Sequence, residues 1–180
     1  VKRLAADLGV KRVRVVANKV RDAQDEEFVR NAIPATAEAV VAGLTADDVR
    51  DMTEAWSAET EVTFTLTDTP DGLFIRAEGR GAHIGKPYLG RNGQTALVEL
   101  LSRFPLADCG STRAVRAMAR CFPYDDPHGA ALGLTVEDAV MGKCRINATT
   151  CTLDETGVAL QFDGRGGALA TEENFARVID

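Results

Sequence analysis

Residues 61–77 read EVTFTLTDTPDGLFIRA, and this stretch decides the fold. Val62, Phe64 and Leu66 alternate with threonines, which is the period of a strand with one buried face. Thr69-Pro70-Asp71-Gly72 is a turn: proline pre-sets φ and glycine accepts φ > 0. Leu73, Ile75 and Ala77 then resume the alternation. The expectation is a β-hairpin with one face wet and the other covered.

Working outward on the N-terminal side, Thr45 to Glu59 has the pattern of a helix. Thr45 can cap it, with Asp48 three residues on in a capping-box arrangement. Val49, Met52 and Trp56 then share a face. Ala37 to Gly43 reads as a strand on the strength of Val40 and Val41. Asn31-Ala-Ile-Pro34 is extended, because Pro34 disfavours helix at Ile33. Earlier still, residues 1–10 read as a short helix ending at Gly9, Lys11 to Asn18 as a strand, and Gln24 to Arg30 as an acidic helix.

On the C-terminal side comes Gly79 to Gly93, GRGAHIGKPYLGRNG, with five glycines, three cationic side chains and one of the two histidines of the chain. Glycine permits close backbone approach and positive φ, so such a loop is not built for packing alone. Asn92 suits the cap of the next helix better than a substrate ligand; that helix carries Leu97, Leu100, Leu101 and Phe104 in one stripe and stops at Pro105. Ser111 is placed to cap another, with Val115, Met118 and Phe122 inward. Phe122 to Gly133 is a polar loop in which His128, between Pro127 and Gly129, reads as a surface residue. Cys144 to Thr152 and Val158 to Phe162 are strands. The fold class expected is α+β, an antiparallel sheet with the helices packed on one face.

The chain has 180 residues, 45% hydrophobic and 27% charged, with a formal net charge of -6. That profile suits a soluble globular protein and argues against a nucleic-acid partner. No run is long enough for a membrane span and no signal-peptide layout is present. Cys109, Cys121, Cys144 and Cys151 include no CxxC spacing, so buried free thiols in a reducing, cytoplasmic setting are expected. Phosphate-loop, HExxH, HxD and GxSxG motifs are absent: Arg80 stands where a phosphate loop needs its first glycine, and Pro87 where it needs a hydroxyl. Two histidines far apart do not make a zinc site, so the chain holds no self-contained catalytic apparatus and no catalytic metal is expected on it.

From Asn31 onward the sequence resembles the lid domain of the PepV-type dinuclear-zinc dipeptidases, in the superfamily of carnosinases and aminoacylases. Ala82-His83-Ile84-Gly85-Lys86-Pro87-Tyr88-Leu89-Gly90-Arg91-Asn92 is similar to the lid's AHGSxPExGxN. Leu132 to Asn147, LGLTVEDAVMGKCRIN, resembles a second motif of that branch, and Leu160 to Gly167, LQFDGRGG, sits where the family has a strand ending in an RYP-like element. Gly85 stands for the family's small hydroxyl residue, Gly93 for alanine, and Gly166-Gly167 for Tyr-Pro.

The resemblance implies a metallopeptidase lid or dimerisation-type domain over residues 31–167, with 168–180 starting a return segment. It also implies a catalytic domain of the same parent protein that carries the zinc, and a peptide substrate. His83 would hydrogen-bond the scissile carbonyl oxygen, Arg165 would grip the terminal carboxylate, and Asn31 would assist Arg165. For Asn31 an ordinary extended-loop asparagine is as good a reading. Residues 1–30 resemble instead the nitrogenase-iron-protein-like ATPases that mature carbon monoxide dehydrogenase, through VANKVRDAQD, and carry no assigned function. On this reading the chain is a piece of something longer. The alternative is a non-catalytic α+β binding or dimerisation module, and a homodimer is open under either.

Overall fold

A computed structural model describes residues 13–17, 32–134, 136–140, 142–154 and 157–166. The expected helices at 1–10 and 24–30 lie outside the described residues, as does Asn31. Ten strands and three α-helices are present among those described. The main sheet has six strands in the order β10-β9-β1-β3-β5-β4, every neighbour antiparallel. Its members are β1 (Val13–Ala17), β3 (Thr36–Val41), β4 (Thr63–Thr69), β5 (Gly72–Glu78), β9 (Arg145–Asp154) and β10 (Gly157–Arg165). Short ribbons pair β2 (Ala32–Ile33) with β6 (Ala82–His83), and β7 (Glu137–Asp138) with β8 (Gly142–Lys143).

The hairpin of β4 and β5 forms as its alternation requires, from Thr63↔Glu78 to Thr69↔Gly72. Gly72 sits at φ 127, and a Cβ there would stand 2.5 Å from the Val41 carbonyl oxygen, so only glycine closes this turn without strain. Leu73, Ile75 and Ala77 are buried, as are Ala37, Ala39 and Val41 on β3 and Cys151 and Leu153 on β9. These side chains and those of the helices α1 (Ala46–Thr60), α2 (Gly93–Arg103) and α3 (Gly110–Cys121) form one core, with Trp56, Leu97, Leu101, Phe104 and Val115 among its members. The chain is thus mixed α+β with antiparallel sheets. No helix among the described residues is long and apolar enough to cross a membrane.

Thr45 precedes α1, and the Asp48 carboxylate accepts both its backbone N–H and its hydroxyl at 2.8 Å. The buried stripe of α1 is Val49, Thr53, Trp56 and Thr60, not Val49, Met52 and Trp56; Met52 is exposed. The helix can bury threonines because Thr53 and Thr60 donate their hydroxyls to the Val49 and Trp56 carbonyls, which removes most of the desolvation penalty. Trp56 donates its indole N–H to the Ala96 carbonyl of α2 at 3.0 Å. Arg103 lies over its ring at 3.6 Å, a cation–π contact.

The start of α3 falls earlier than Ser111. Cys109 is the residue before the helix, and its sulfur lies 3.2 Å from the Ser111 hydroxyl and 3.4 Å from that of Thr112. Phe122 follows the helix rather than lining it. The cysteines are all free, but only Cys144 and Cys151 are buried; Cys109 is half-buried and Cys121 is exposed. Cys121 is the last residue of α3, where the chain leaves the core, which is why this thiol is exposed rather than buried.

Candidate functional site

The glycine loop leaves the end of the sheet where β3 begins, β5 ends, β9 begins and β10 ends. Its base is clasped by backbone bonds. Gly79 N–H donates to the Ala35 carbonyl, Gly93 N–H to the Pro34 carbonyl, and Arg80 and Arg91 exchange N–H···O bonds of 2.9 and 2.7 Å. The chains approach so closely that a Cβ on Gly79 would lie 2.1 Å from the Arg91 carbonyl oxygen, and one on Gly93 2.5 Å from that of Ala35. Gly93 therefore answers a local backbone constraint.

Within the loop, β6 pairs Ala32↔His83 and Ile33↔Ala82. Alternation then buries Ile84 and leaves His83 exposed. The Gly85 N–H donates to His83 Nδ1 at 3.0 Å. A nitrogen that accepts a hydrogen bond carries no proton, so the neutral ring keeps its hydrogen on Nε2. A Cβ on Gly85 would sit 3.0 Å from that same Nδ1. Glycine at position 85 leaves room for the backbone amide to reach the ring. Lys86 N–H returns to the His83 carbonyl at 2.8 Å, the 3-10 turn Pro87–Leu89 follows, and Arg80 Nε donates to the Leu89 carbonyl. Tyr88 and Leu89 stand exposed at the tip.

Asn92 caps α2: its Oδ1 accepts from Gln94 and Thr95 N–H at 2.9 and 3.1 Å. With its oxygen so engaged, its amide nitrogen donates to Asn147 Oδ1 on β9 at 2.7 Å. Beside it, Arg91 makes an ion pair of 2.8 Å with Glu61.

Arg165 ends β10 opposite Arg145 of β9, its side chain half exposed and paired with Asp163 at 3.2 Å. The structure thus brings His83 and Arg165 to the same end of the sheet on different elements. The residues around the glycine loop include one that local pattern did not single out as functional, Asn147, whose partner lies 55 positions away.

His128 is not a free surface histidine. It is half-buried, and its Nδ1 lies 2.8 Å from the Cys144 carbonyl oxygen. A carbonyl only accepts, so here Nδ1 carries the hydrogen. At Cys109 burial pushes the thiol up, but bonds to the Ser111 and Thr112 hydroxyls and backbone outweigh it and the pKa falls below the usual value; burial alone raises Cys151 to about 11.

Among the described residues no group of three or more His, Cys, Asp and Glu side chains could hold a metal ion. No protein-family model matches the sequence, and no curated protein matches it.

Proposed function

We propose that this chain is the substrate-binding lid of a zinc-dependent dipeptidase, closing over a metal-bearing domain of the same parent polypeptide. The observation that carries the reading is the state of His83: exposed, with Nδ1 occupied by the Gly85 N–H. Its Nε2–H is left as a hydrogen-bond donor for a substrate carbonyl oxygen, and a donor aimed at a developing oxyanion is worth about 10²–10³ in rate. Arg165, at the same end of the sheet, offers a planar guanidinium that suits the terminal carboxylate of a dipeptide. Asn31 directly precedes the β2 strand that pairs with His83, and is proposed to assist Arg165.

The alternative reading, a non-catalytic binding or dimerisation module, has one observation in its favour. The outer strand β10 exposes Val158 and Phe162, and an apolar edge strand is a template for pairing with another chain.

The full-length polypeptide, supplied with zinc, is expected to hydrolyse dipeptides. Arg165→Ala should raise KM for free dipeptides and leave substrates with an amidated C-terminus unaffected. If no dipeptide in a broad panel is cleaved, or if the amidated substrates suffer equally, the lid reading falls and the dimerisation reading gains.

A further inference from the structure

At the edge opposite β10 the sheet ends in β4, which no further strand covers among the described residues. Its pairing with β5 is unbroken, and Thr63-Phe64-Thr65-Leu66-Thr67 holds no lysine, no proline and no bulge, the devices that blunt an exposed edge. The turn decides which backbone groups face outward. A two-residue turn makes Thr69 and Gly72 a bonded pair, so Thr67, Thr65 and Thr63 also bond to β5. The Gly79 N–H, which donates to Ala35 on the β3 side, fixes the same alternation from the other flank of β5. Phe64 and Leu66 therefore turn their N–H and C=O away from the sheet, and these four groups have no partner among the described residues. The free stretch is closed at both ends. The Val62 carbonyl accepts from the Ser57 hydroxyl, and the Asp68 carboxylate accepts from the Ala46 N–H.

Beside this edge an open groove of about 410 Å³ runs between β4 and α1, lined by Phe64 and Leu66 from the strand and by Arg50, Glu54 and Ala58 from the helix. Phe64 and Leu66 are half-buried and pack on the core. We infer that the groove takes an extended, basic peptide segment of another protein, which adds to the sheet beside β4 and sets a lysine or arginine against Glu54. An edge strand supplies such a peptide with main-chain bonds, and the neighbouring groove reads its alternate side chains. Peptide residues opposite Phe64 and Leu66 lie on the helix side, where the strand offers apolar contact and the helix a charge. That charge is negative: Arg50 is committed to Asp47 in an ion pair of 2.8 Å, which leaves Glu54. The same charge argues against a second copy of this chain as the occupant. Two copies joined at β4 would set their α1 helices side by side, and each carries Asp47, Asp48, Asp51, Glu54 and Glu59 against Arg50 alone. No part of this site belongs to the lid residues His83, Arg165 and Asn31.

The test titrates the full-length protein into fluorescein-labelled Val-Thr-Lys-Thr-Val, blocked at its C-terminus, and follows anisotropy. Binding should be saturable, and Val-Thr-Glu-Thr-Val should bind about fivefold more weakly. In Glu54→Lys, a change at an exposed position, the order of the two peptides should invert. Methylating one set of alternate backbone amides of the lysine peptide should weaken binding about tenfold, and methylating the other set should not, because only one set faces β4. Hydrogen exchange reads the site without any variant. The amides of Phe64 and Leu66 should exchange fast in the free protein and slow with the lysine peptide, while those of Thr63, Thr65 and Thr67 stay protected throughout. No binding, equal binding of the two peptides, or indifference to both methylation patterns would overturn the assignment. So would protection of Phe64 and Leu66 that rises with the concentration of the free protein, which would place a second copy on this edge.

Discussion

Two loops of this molecule each carry one histidine, and they use it in opposite ways. In the Gly79–Gly93 loop the ring is exposed and Nδ1 accepts from the Gly85 backbone. In the Phe122–Gly133 loop the ring is half-buried and Nδ1 donates to the Cys144 carbonyl. The first arrangement leaves an N–H facing outward from a loop clasped at its base by backbone bonds. The second spends its N–H on holding the loop to the chain just before β9. A histidine in a glycine-rich loop is therefore not a functional signal by residue type; what distinguishes the two is which partner takes Nδ1.

The largest effect should separate the two directly. In the full-length enzyme proposed above, His83→Ala should lower kcat by about 10²–10³ with KM little changed, the signature of an interaction made mainly in the transition state. His128→Ala should leave kcat within about twofold, because the group acts on structure. If His83→Ala keeps kcat within twofold while the zinc content of the enzyme is unchanged, the glycine loop is not catalytic.

The next effect is on stability and falls on the base of the first loop. Gly79→Ala places a methyl 2.1 Å from the backbone oxygen of Arg91, and backbone has no rotamer by which to retreat. Overpacking of this kind costs about 1–3 kcal/mol, and the upper end is expected because the Arg80–Arg91 clasp must open. Urea denaturation of the variant measures it; a midpoint equal to that of the parent would show that the loop is looser than its hydrogen bonds imply.

For stability the ranking of the two histidines reverses. His128→Ala removes the donor to the Cys144 carbonyl, and an unpaired half-buried carbonyl costs about 1–2 kcal/mol. His83→Ala breaks only a bond at an exposed ring, so its stability should stay within about 0.5 kcal/mol of the parent. Comparable destabilisation by both substitutions would erase the distinction between the loops.

Much of the fold was legible because its signals are local. The alternation from Val62 to Ala77 and the Thr69–Gly72 turn are contained in one window, and the Asn92 cap precedes its apolar stripe directly. Trp56 was legible as core, whereas Met52 was not separable from Thr53, since both suit a helical period and the choice depends on a hydroxyl bond to Val49. Long-range pairing was less visible. The alternation of Lys11 to Asn18 marks β1 as a strand but does not reveal that it lies between β3 and β9. The amide chain from Asn92 to Asn147 crosses 55 positions and has no periodicity to announce it. His83 stood out through its glycines, while the tautomers of both histidines became readable only once their partners were in place.

The smallest effect tests whether the glycines of the two loops are there for the same reason. Gly133 lies at φ 73 after the 3-10 turn Ala130–Leu132, and a Cβ built on it meets no heavy atom within 4 Å. Gly133→Ala therefore introduces no clash, only the left-handed backbone penalty of about 1–2 kcal/mol for a residue with a side chain. Against this, alanine restricts the unfolded chain and returns about 0.4–1 kcal/mol. The two terms oppose each other, leaving a net loss of about 0.5–1 kcal/mol, well below that of Gly79→Ala. Gly133→Asn should lose less still, because asparagine tolerates the left-handed region, whereas Gly79→Asn should be at least as damaging as alanine. Melting curves of the four variants, ranked in this order, distinguish a glycine chosen for its torsion from one chosen for its missing Cβ. An asparagine that rescues Gly79 would mean that conformation, not contact, fixes the base of the first loop.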